Sequence, residues 1–194
     1  MFTGIIRNRT RVERVTPEKG GMLVTFRLPK GLRIKAGNSI NVDGICSTVV
    51  KAGAGRFEVG YMPETIDKTT VSTFRKGSLV NIERPLRLVD FVDGHLIEGH
   101  IDTRGQIIAL VTRGTSRELR IKIPKLFMKF VVSKGSVAID GVSLTVVQTG
   151  RDWFTVALIE YTLSHTTLGQ VKKGSLVNVE VNMFAKYLSR FIRE

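Results

Sequence analysis

The line SINVDGICSTVV, beginning at Ser39, is nearly rewritten as SVAIDGVSLTVV, beginning at Ser136, and the only cysteine, Cys46, stands in the first copy where the second has Ser143. A thiol on such a strand can serve as a reactive site group; its plain alternative is a small buried hydrophobe. Of the three histidines, His95, His100 and His165, the one in EGHID, His100, offers an imidazole that can move protons near neutral pH. Taken alone, each histidine is more often an ordinary surface or core residue. The chemistry on offer is proton transfer and thiol addition, in two settings that are similar without being identical.

A duplicated unit must position these groups. Asp43 and Asp140 lie 97 residues apart, and that offset also pairs Ser39 with Ser136, Gly44 with Gly141, Thr65 with Thr162, the two copies of GSLVN, and Glu83 with Glu180. No insertion interrupts this span, so one structural unit is written twice. Carried to the start of the chain, the same offset sets His100 opposite Thr3. Each unit reads as β: Asp-Gly between alternating runs is a strong hairpin signal, FEVGYM and FTVALI are strands, and the short spacing suggests a closed Greek-key barrel. PETIDKTTVS and YTLSHTTL read as helical turns, the first opened by Pro63 with Glu64 behind it. From Asn182 as cap, Phe184, Tyr187, Leu188, Phe191 and Ile192 fall on one helical stripe, with Lys186, Arg190 and Arg193 off it. That face calls for cover, from its own barrel or from another chain.

Composition fits this reading. The chain has 194 residues, 42% hydrophobic and 24% charged; no run is long and apolar enough to span a membrane, and MFTGII is too short for a signal-peptide core. With one cysteine there is no internal disulfide, and a cytoplasmic, soluble protein is expected. A net charge of +13 would ordinarily point to nucleic acid, but the charge divides evenly between the two halves. Aromatic residues are 7% and form no stripe with arginine, so a solvated basic surface is expected and no nucleic acid partner.

MFTGII, GNSINVDGICSTV with GSVAIDGVSLTV, ETIDKTT with its echo YTLSHTT, VNIERPL, GHLIEGHID and VNVEVNMFAKYLSRF follow one another over the whole chain, and together they resemble the riboflavin synthases of the duplicated lumazine-binding barrel family. The resemblance implies an all-β fold of two tandem six-stranded Greek-key barrels, residues 1–97 and 98–182, and an oligomerisation helix, residues 183–194, that makes a homotrimer. It places each active site between the N-barrel of one chain and the C-barrel of the next. The implied reaction is a dismutation: two 6,7-dimethyl-8-ribityllumazine molecules exchange a four-carbon unit, giving riboflavin and 5-amino-6-ribitylamino-uracil, with no metal or redox cofactor. The positive charge would also suit an acidic partner such as lumazine synthase, upstream in the same biosynthesis.

By the same resemblance the catalytic candidates are Cys46, His100 and Ser39. The N-barrel binding set is Gly4, Ile5 and Ile6; Cys46, Ser47 and Thr48; and Gly60, Tyr61, Met62, Pro63, Glu64 and Thr65. The C-barrel set is Gly99, His100 and Ile101; Lys134; Ser143, Leu144 and Thr145; and Ala157, Leu158, Ile159, Glu160, Tyr161 and Thr162. Many of these would act through main-chain groups reading a pteridine edge. The chain departs from the family pattern at Ser47, where leucine is usual, at Asp93 in place of the first glycine of Gly-Gly-His, and at Glu160-Tyr161 in place of a proline-containing segment. Three other readings stand beside this one: a non-catalytic lumazine- or flavin-binding relative, a basic nucleic-acid-binding barrel, and a flavin-reductase barrel. The last lacks its nucleotide-binding half and Gly-rich loop.

Overall fold

Period-two alternation builds both halves. In Arg56–Tyr61 the buried residues are Phe57, Val59 and Tyr61, and in Trp153–Leu158 they include Phe154, Val156 and Leu158. One face of each strand therefore faces a core. The computed structural model describes residues 1–191. Its first unit comprises β1 (Asn8–Glu18), β2 (Gly21–Arg27), β3 (Ser39–Val42), β4 (Ile45–Gly53), β5 (Arg56–Tyr61), α1 (Pro63–Lys68) and β6 (Leu79–Glu83). The second repeats it as β7 (Thr103–Arg113), β8 (Ser116–Lys122), β9 (Ser136–Ile139), β10 (Val142–Thr149), β11 (Trp153–Leu158), α2 (Glu160–His165) and β12 (Leu176–Val181), followed by α3 (Met183–Phe191).

Each set of six strands closes into an antiparallel barrel, the first in the order β1-β2-β5-β4-β3-β6 and the second in the same cyclic order. Closure removes the open edges that a six-stranded sheet would otherwise expose. The expected hairpins form at Asp43-Gly44 and Asp140-Gly141, where both residues of each turn have positive φ, as the twist of a two-residue hairpin demands. The expected short helices are α1, with Pro63 in its first turn, and α2; α3 starts where expected, with Asn182 Oδ1 accepting the Phe184 N–H at 2.9 Å. Ile192 and Arg193, placed on and off its stripe from the sequence, lie outside the described residues. Among the described residues no helix is long and apolar enough to cross a membrane.

The two barrels lock about a pseudo-twofold axis. Asn81 donates to the Asp140 carbonyl at 2.9 Å and accepts from the Thr167 N–H at 2.9 Å; Asn178 donates to the Asp43 carbonyl at 2.8 Å and accepts from the Thr70 N–H at 2.8 Å. The hairpin tips meet so closely that a Cβ on Gly44 would stand 2.8 Å from the Gly141 nitrogen. Both turn carboxylates are buried here, and burial raises Asp140 to about 7 and Asp43 well above the usual carboxylate range.

One feature of the packing was not visible in the repeat. Ile6, from the segment before β1, belongs to the core of the second barrel, whereas Ile101, from the segment before β7, packs against the core of the first. The leading segments are exchanged between barrels, crossing where Phe2 and Ile97 pair through main-chain bonds of 2.8 and 3.1 Å.

Candidate active site

Each exchanged segment ends on the strand that carries the singled-out thiol or hydroxyl. The Gly99 carbonyl accepts the Cys46 N–H at 2.8 Å, and the Gly4 carbonyl accepts the Ser143 N–H at 2.9 Å. Both glycines have positive φ, +82° and +77°, and an added Cβ would lie 2.6 Å from the Cβ of Cys46 or of Ser143. Only glycine fits there. Beneath each segment sits a buried glutamate from the last strand of a barrel. Glu83 accepts the Thr3 and Gly4 N–H groups at 2.8 and 3.1 Å, and Glu180 those of Glu98 and Gly99 at 2.8 and 2.9 Å. Burial raises both carboxyls, Glu180 to about 7, against the opposing pull of those N–H donors.

These paired contacts correct the alignment at the start of the chain. Gly4 matches Gly99, an offset of 95 rather than 97, so His100 stands opposite Ile5 and not Thr3. The two extra residues of the second repeat fall between β8 and β9, where the chain makes a 3-10 turn over Lys125–Phe130. The candidates accordingly group by contact rather than by sequence half. Gly99, His100 and Ile101 join Cys46, Ser47 and Thr48, whereas Gly4, Ile5 and Ile6 join Ser143, Leu144 and Thr145.

Alternation then sorts side chains within each half-site. Ser39 pairs with Thr48, and Asn41 with Cys46, so Ser39, Cys46 and Thr48 share the outer face of the first barrel. Ser47, Tyr61, Leu144 and Leu158 point into the barrels, so that only their main chain is open to the outer face. This explains the departure at Ser47. Its hydroxyl bonds the Ile45 carbonyl at 3.0 Å and pairs at 3.2 Å with the buried Tyr61 hydroxyl, at positions filled by Leu144 and Leu158 in the second barrel. One hydroxyl pair replaces one leucine pair, and burial keeps the Tyr61 phenol protonated by raising its pKa.

Gly60 and Ala157 are exposed on matching strands, and Met62 and Ile159 are exposed caps of α1 and α2. Pro63, Glu64, Glu160 and Tyr161 open these helices at the surface, and the carbonyls of Thr65 and Thr162 accept the capping N–H and hydroxyl of Thr69 and Thr166. The departure at Glu160-Tyr161 changes only exposed groups; Tyr161 stacks on His165 with ring centres 4.0 Å apart. Lys134 is exposed with φ +65°, and its N–H donates to the Val146 carbonyl at 2.8 Å just as Gly37 donates to Val49 in the first repeat. Lys134 thus holds a left-handed conformation at the position where the first repeat has Gly37.

Cys46 is a partly buried free thiol against Phe2, Ile97 and Ala138. His100 beside it is 70% exposed, its Nδ1 3.9 Å from Glu98 Oε1. Sequence reasoning gave no role to His95, yet its Nδ1 lies 2.7 Å from Ser143 Oγ and its N–H bonds the Thr3 carbonyl at 3.2 Å. Burial lowers the His95 imidazole from its usual value, favouring its neutral form. Gly94 is needed here, since a Cβ would lie 2.2 Å from the Thr3 carbonyl; Asp93 is exposed and pairs with Arg7 at 3.8 Å, so glycine is dispensable there. A histidine thus accompanies each frame: His95 against Ser143, and His100 next in sequence to Gly99, whose carbonyl holds the Cys46 N–H.

Comparison with known proteins identifies the family. The Lumazine binding domain model matches twice, over residues 3–85 and 98–182. Riboflavin synthase of Mycobacterium tuberculosis is 39% identical over 100% of this chain and 98% of its own, and that of Bacillus subtilis 35% identical over 100% and 91%. Riboflavin synthase of Actinobacillus pleuropneumoniae is 35% identical over 99% of this chain and 90% of its own. Among solved structures, LumP complexed with 6,7-dimethyl-8-(1'-D-ribityl) lumazine superposes with a TM-score of 0.85 at 23% identity, covering 94% of this chain and 99% of that one, a likeness of fold. With two lumazine binding domains and full-length identity to these enzymes, the chain belongs to the riboflavin synthase family.

Proposed function

We propose that the two half-sites each hold one 6,7-dimethyl-8-ribityllumazine and that a four-carbon unit passes from one to the other, giving riboflavin and 5-amino-6-ribitylamino-uracil. The observation that carries this reading is the pair of crossed segments: the same main-chain frame is built twice, at Gly99–Cys46 and Gly4–Ser143, with different reactive side chains on each. Two like substrates with unlike roles need that combination. The exchange is redox-neutral, since the atoms of two lumazines equal those of the two products.

The C7 methyl of the lumazine is acidic because its carbanion delocalises into the ring, so much of the activation belongs to the substrate. Neutral His95, bonded to Ser143, is the group placed to accept that proton in the second half-site. In the first, Cys46 and Ser39 add to or activate the other lumazine, and His100 moves protons. Holding two rings in attacking geometry supplies about 7–11 kcal/mol in favourable intramolecular cases. Because His100 is open to solvent, we propose that the second half-site of a neighbouring chain closes over it. The uncovered face of α3, with Phe184, Tyr187, Leu188 and Phe191 exposed, is the surface through which three chains would associate.

The test is incubation of the purified protein with ribityllumazine alone, following both pigments. Two lumazines consumed per riboflavin formed, with rates about 100-fold lower in Cys46→Ala and His100→Ala, is the expected result. Binding without conversion would make the chain a chromophore holder instead.

A further inference from the structure

Lys186 does not behave like its neighbours on α3. Its side chain is only 25% exposed, and Nζ lies 3.2 and 3.4 Å from the two Asp102 carboxylate oxygens and 3.6 Å from Glu98 Oε2. These two acids flank Gly99, His100 and Ile101. Asp102 Oδ2 also accepts the Val181 N–H at 2.9 Å, at the end of the strand that leads into the helix, and Glu98 Oε1 faces His100 Nδ1. Glu180 then holds the Glu98 and Gly99 N–H groups from below, and Gly99 meets Cys46. A short chain of polar contacts runs from the terminal helix through the His100 segment to the main chain of Cys46.

The duplicated half supplies an internal comparison. Glu83 holds Thr3 and Gly4 as Glu180 holds Glu98 and Gly99, so the glutamate clamp is common to both segments. The charged tether is not. At the positions of Glu98, His100 and Asp102 the first repeat has Thr3, Ile5 and Arg7, and at the position of Lys186 it has Val89, 79% exposed in the linker. The first segment keeps the same glycine conformation and the same main-chain bonds without any of these charges. The tether is therefore unnecessary for the backbone of the segment, and it coincides with the segment that carries His100, where the first repeat has Ile5.

We infer that Lys186 is a positioning residue for the His100 half-site: it fixes Glu98 and Asp102 on either side of His100 and makes the placement of that imidazole depend on the seating of α3. This rests on the role proposed above for His100. Without the ammonium group three carboxylates, Glu98, Asp102 and Glu180, are left together, and Glu98, the one free to swing outward, moves away from His100. A helix that joins chains would thereby also report to the site that joining has occurred.

The experiment is a double-mutant cycle on the full chain, with Lys186→Met and Lys186→Arg made alone and in a His100→Ala background. Turnover of ribityllumazine and particle mass by light scattering are read on the same samples. Lys186→Met should lower kcat roughly 10- to 100-fold with KM and particle mass little changed, the scale of a small misplacement of a reacting group. Lys186→Arg should recover most of the rate, and in the His100→Ala background Lys186→Met should change kcat less than about twofold. Should Lys186→Met fail to fold, Asp102→Asn, which keeps an acceptor for the Val181 N–H, takes its place in the cycle. Equal losses in both backgrounds, or a loss that follows a fall in particle mass, would overturn the inference. A His100→Ala variant with unchanged rate would overturn the role of His100 itself, and the tether with it.

Discussion

Replacing Asn81 by alanine removes the hydrogen bonds that join the barrels on one side of the pseudo-twofold axis. The Asn81 side chain is completely buried and makes three bonds: to the Asp140 carbonyl at 2.9 Å, to Thr167 Oγ1 at 2.8 Å and from the Thr167 N–H at 2.9 Å. The Thr167 hydroxyl can turn to solvent, but the Asp140 carbonyl and Thr167 N–H are left without partners between the barrels. Each such group costs about 1–3 kcal/mol, so with two of them the variant should lose ~2–6 kcal/mol, a large share of an ordinary domain's stability. Asn178→Ala, which breaks bonds to the Asp43 carbonyl and from the Thr70 N–H, should lose a similar amount, about 2–6 kcal/mol. The assay is urea unfolding followed by Trp153 fluorescence, which reports the second barrel alone, and by circular dichroism, which reports both. In the variants the two signals should separate as the barrels uncouple. A loss below about 1 kcal/mol with coincident transitions would refute the claim that these asparagines hold the barrels together.

Stability should fall as pH rises through neutrality. Asp140 and Glu180 have folded-state pKa values raised to about 7, so between their unfolded values near 4 and pH 7 the folded chain binds more protons, and lowering the pH from 8 to 6 should raise Tm. Asp140→Asn should flatten that slope; a Tm that rises with pH over this range would contradict the burial assigned to both groups. Ser47→Leu alone should overpack the barrel against Tyr61 by about 1–3 kcal/mol, and Ser47→Leu with Tyr61→Leu, which reproduces the Leu144–Leu158 pair, should recover most of it in the same unfolding assay. His95→Ala should lower kcat on the order of 100-fold while Tm changes little, with a pH–rate profile that loses its lower limb; an unchanged profile would leave Ser143 without its base.

Strands, hairpins and helices were legible because each rests on a local rule. Asp-Gly sets the two hairpin turns, period two sets the barrel faces, and Asn182 caps α3. The exchange of leading segments was not legible, since Gly4 and Gly99 each reach a partner in the other repeat and nothing in TGII or EGHI says which barrel will receive it. The two-residue insertion between β8 and β9 hid the correct pairing of His100 with Ile5, because the offset of 97 holds only beyond it. Cys46 and Ser143 could be singled out from the broken repeat alone. His95 could not, as its partner Ser143 is 48 residues away, although a histidine directly after a glycine that must stay small was the available signal. Lys186 read as an ordinary polar residue of an amphipathic helix; its burial follows from Asp102 and Glu98, which only the closed barrel brings beneath it.

The central claim, that each chain carries two separate lumazine half-sites built on exchanged segments, is tested most directly by counting ligands. Equilibrium titration would use a ribityllumazine analogue without the C7 methyl group, which cannot form the carbanion. The wild-type chain should bind two per chain. Gly99→Ala, whose Cβ would lie 2.6 Å from that of Cys46, and Gly4→Ala, whose Cβ would lie 2.6 Å from that of Ser143, should each bind one. One ligand per wild-type chain, or loss of both sites in either glycine variant, would contradict the account.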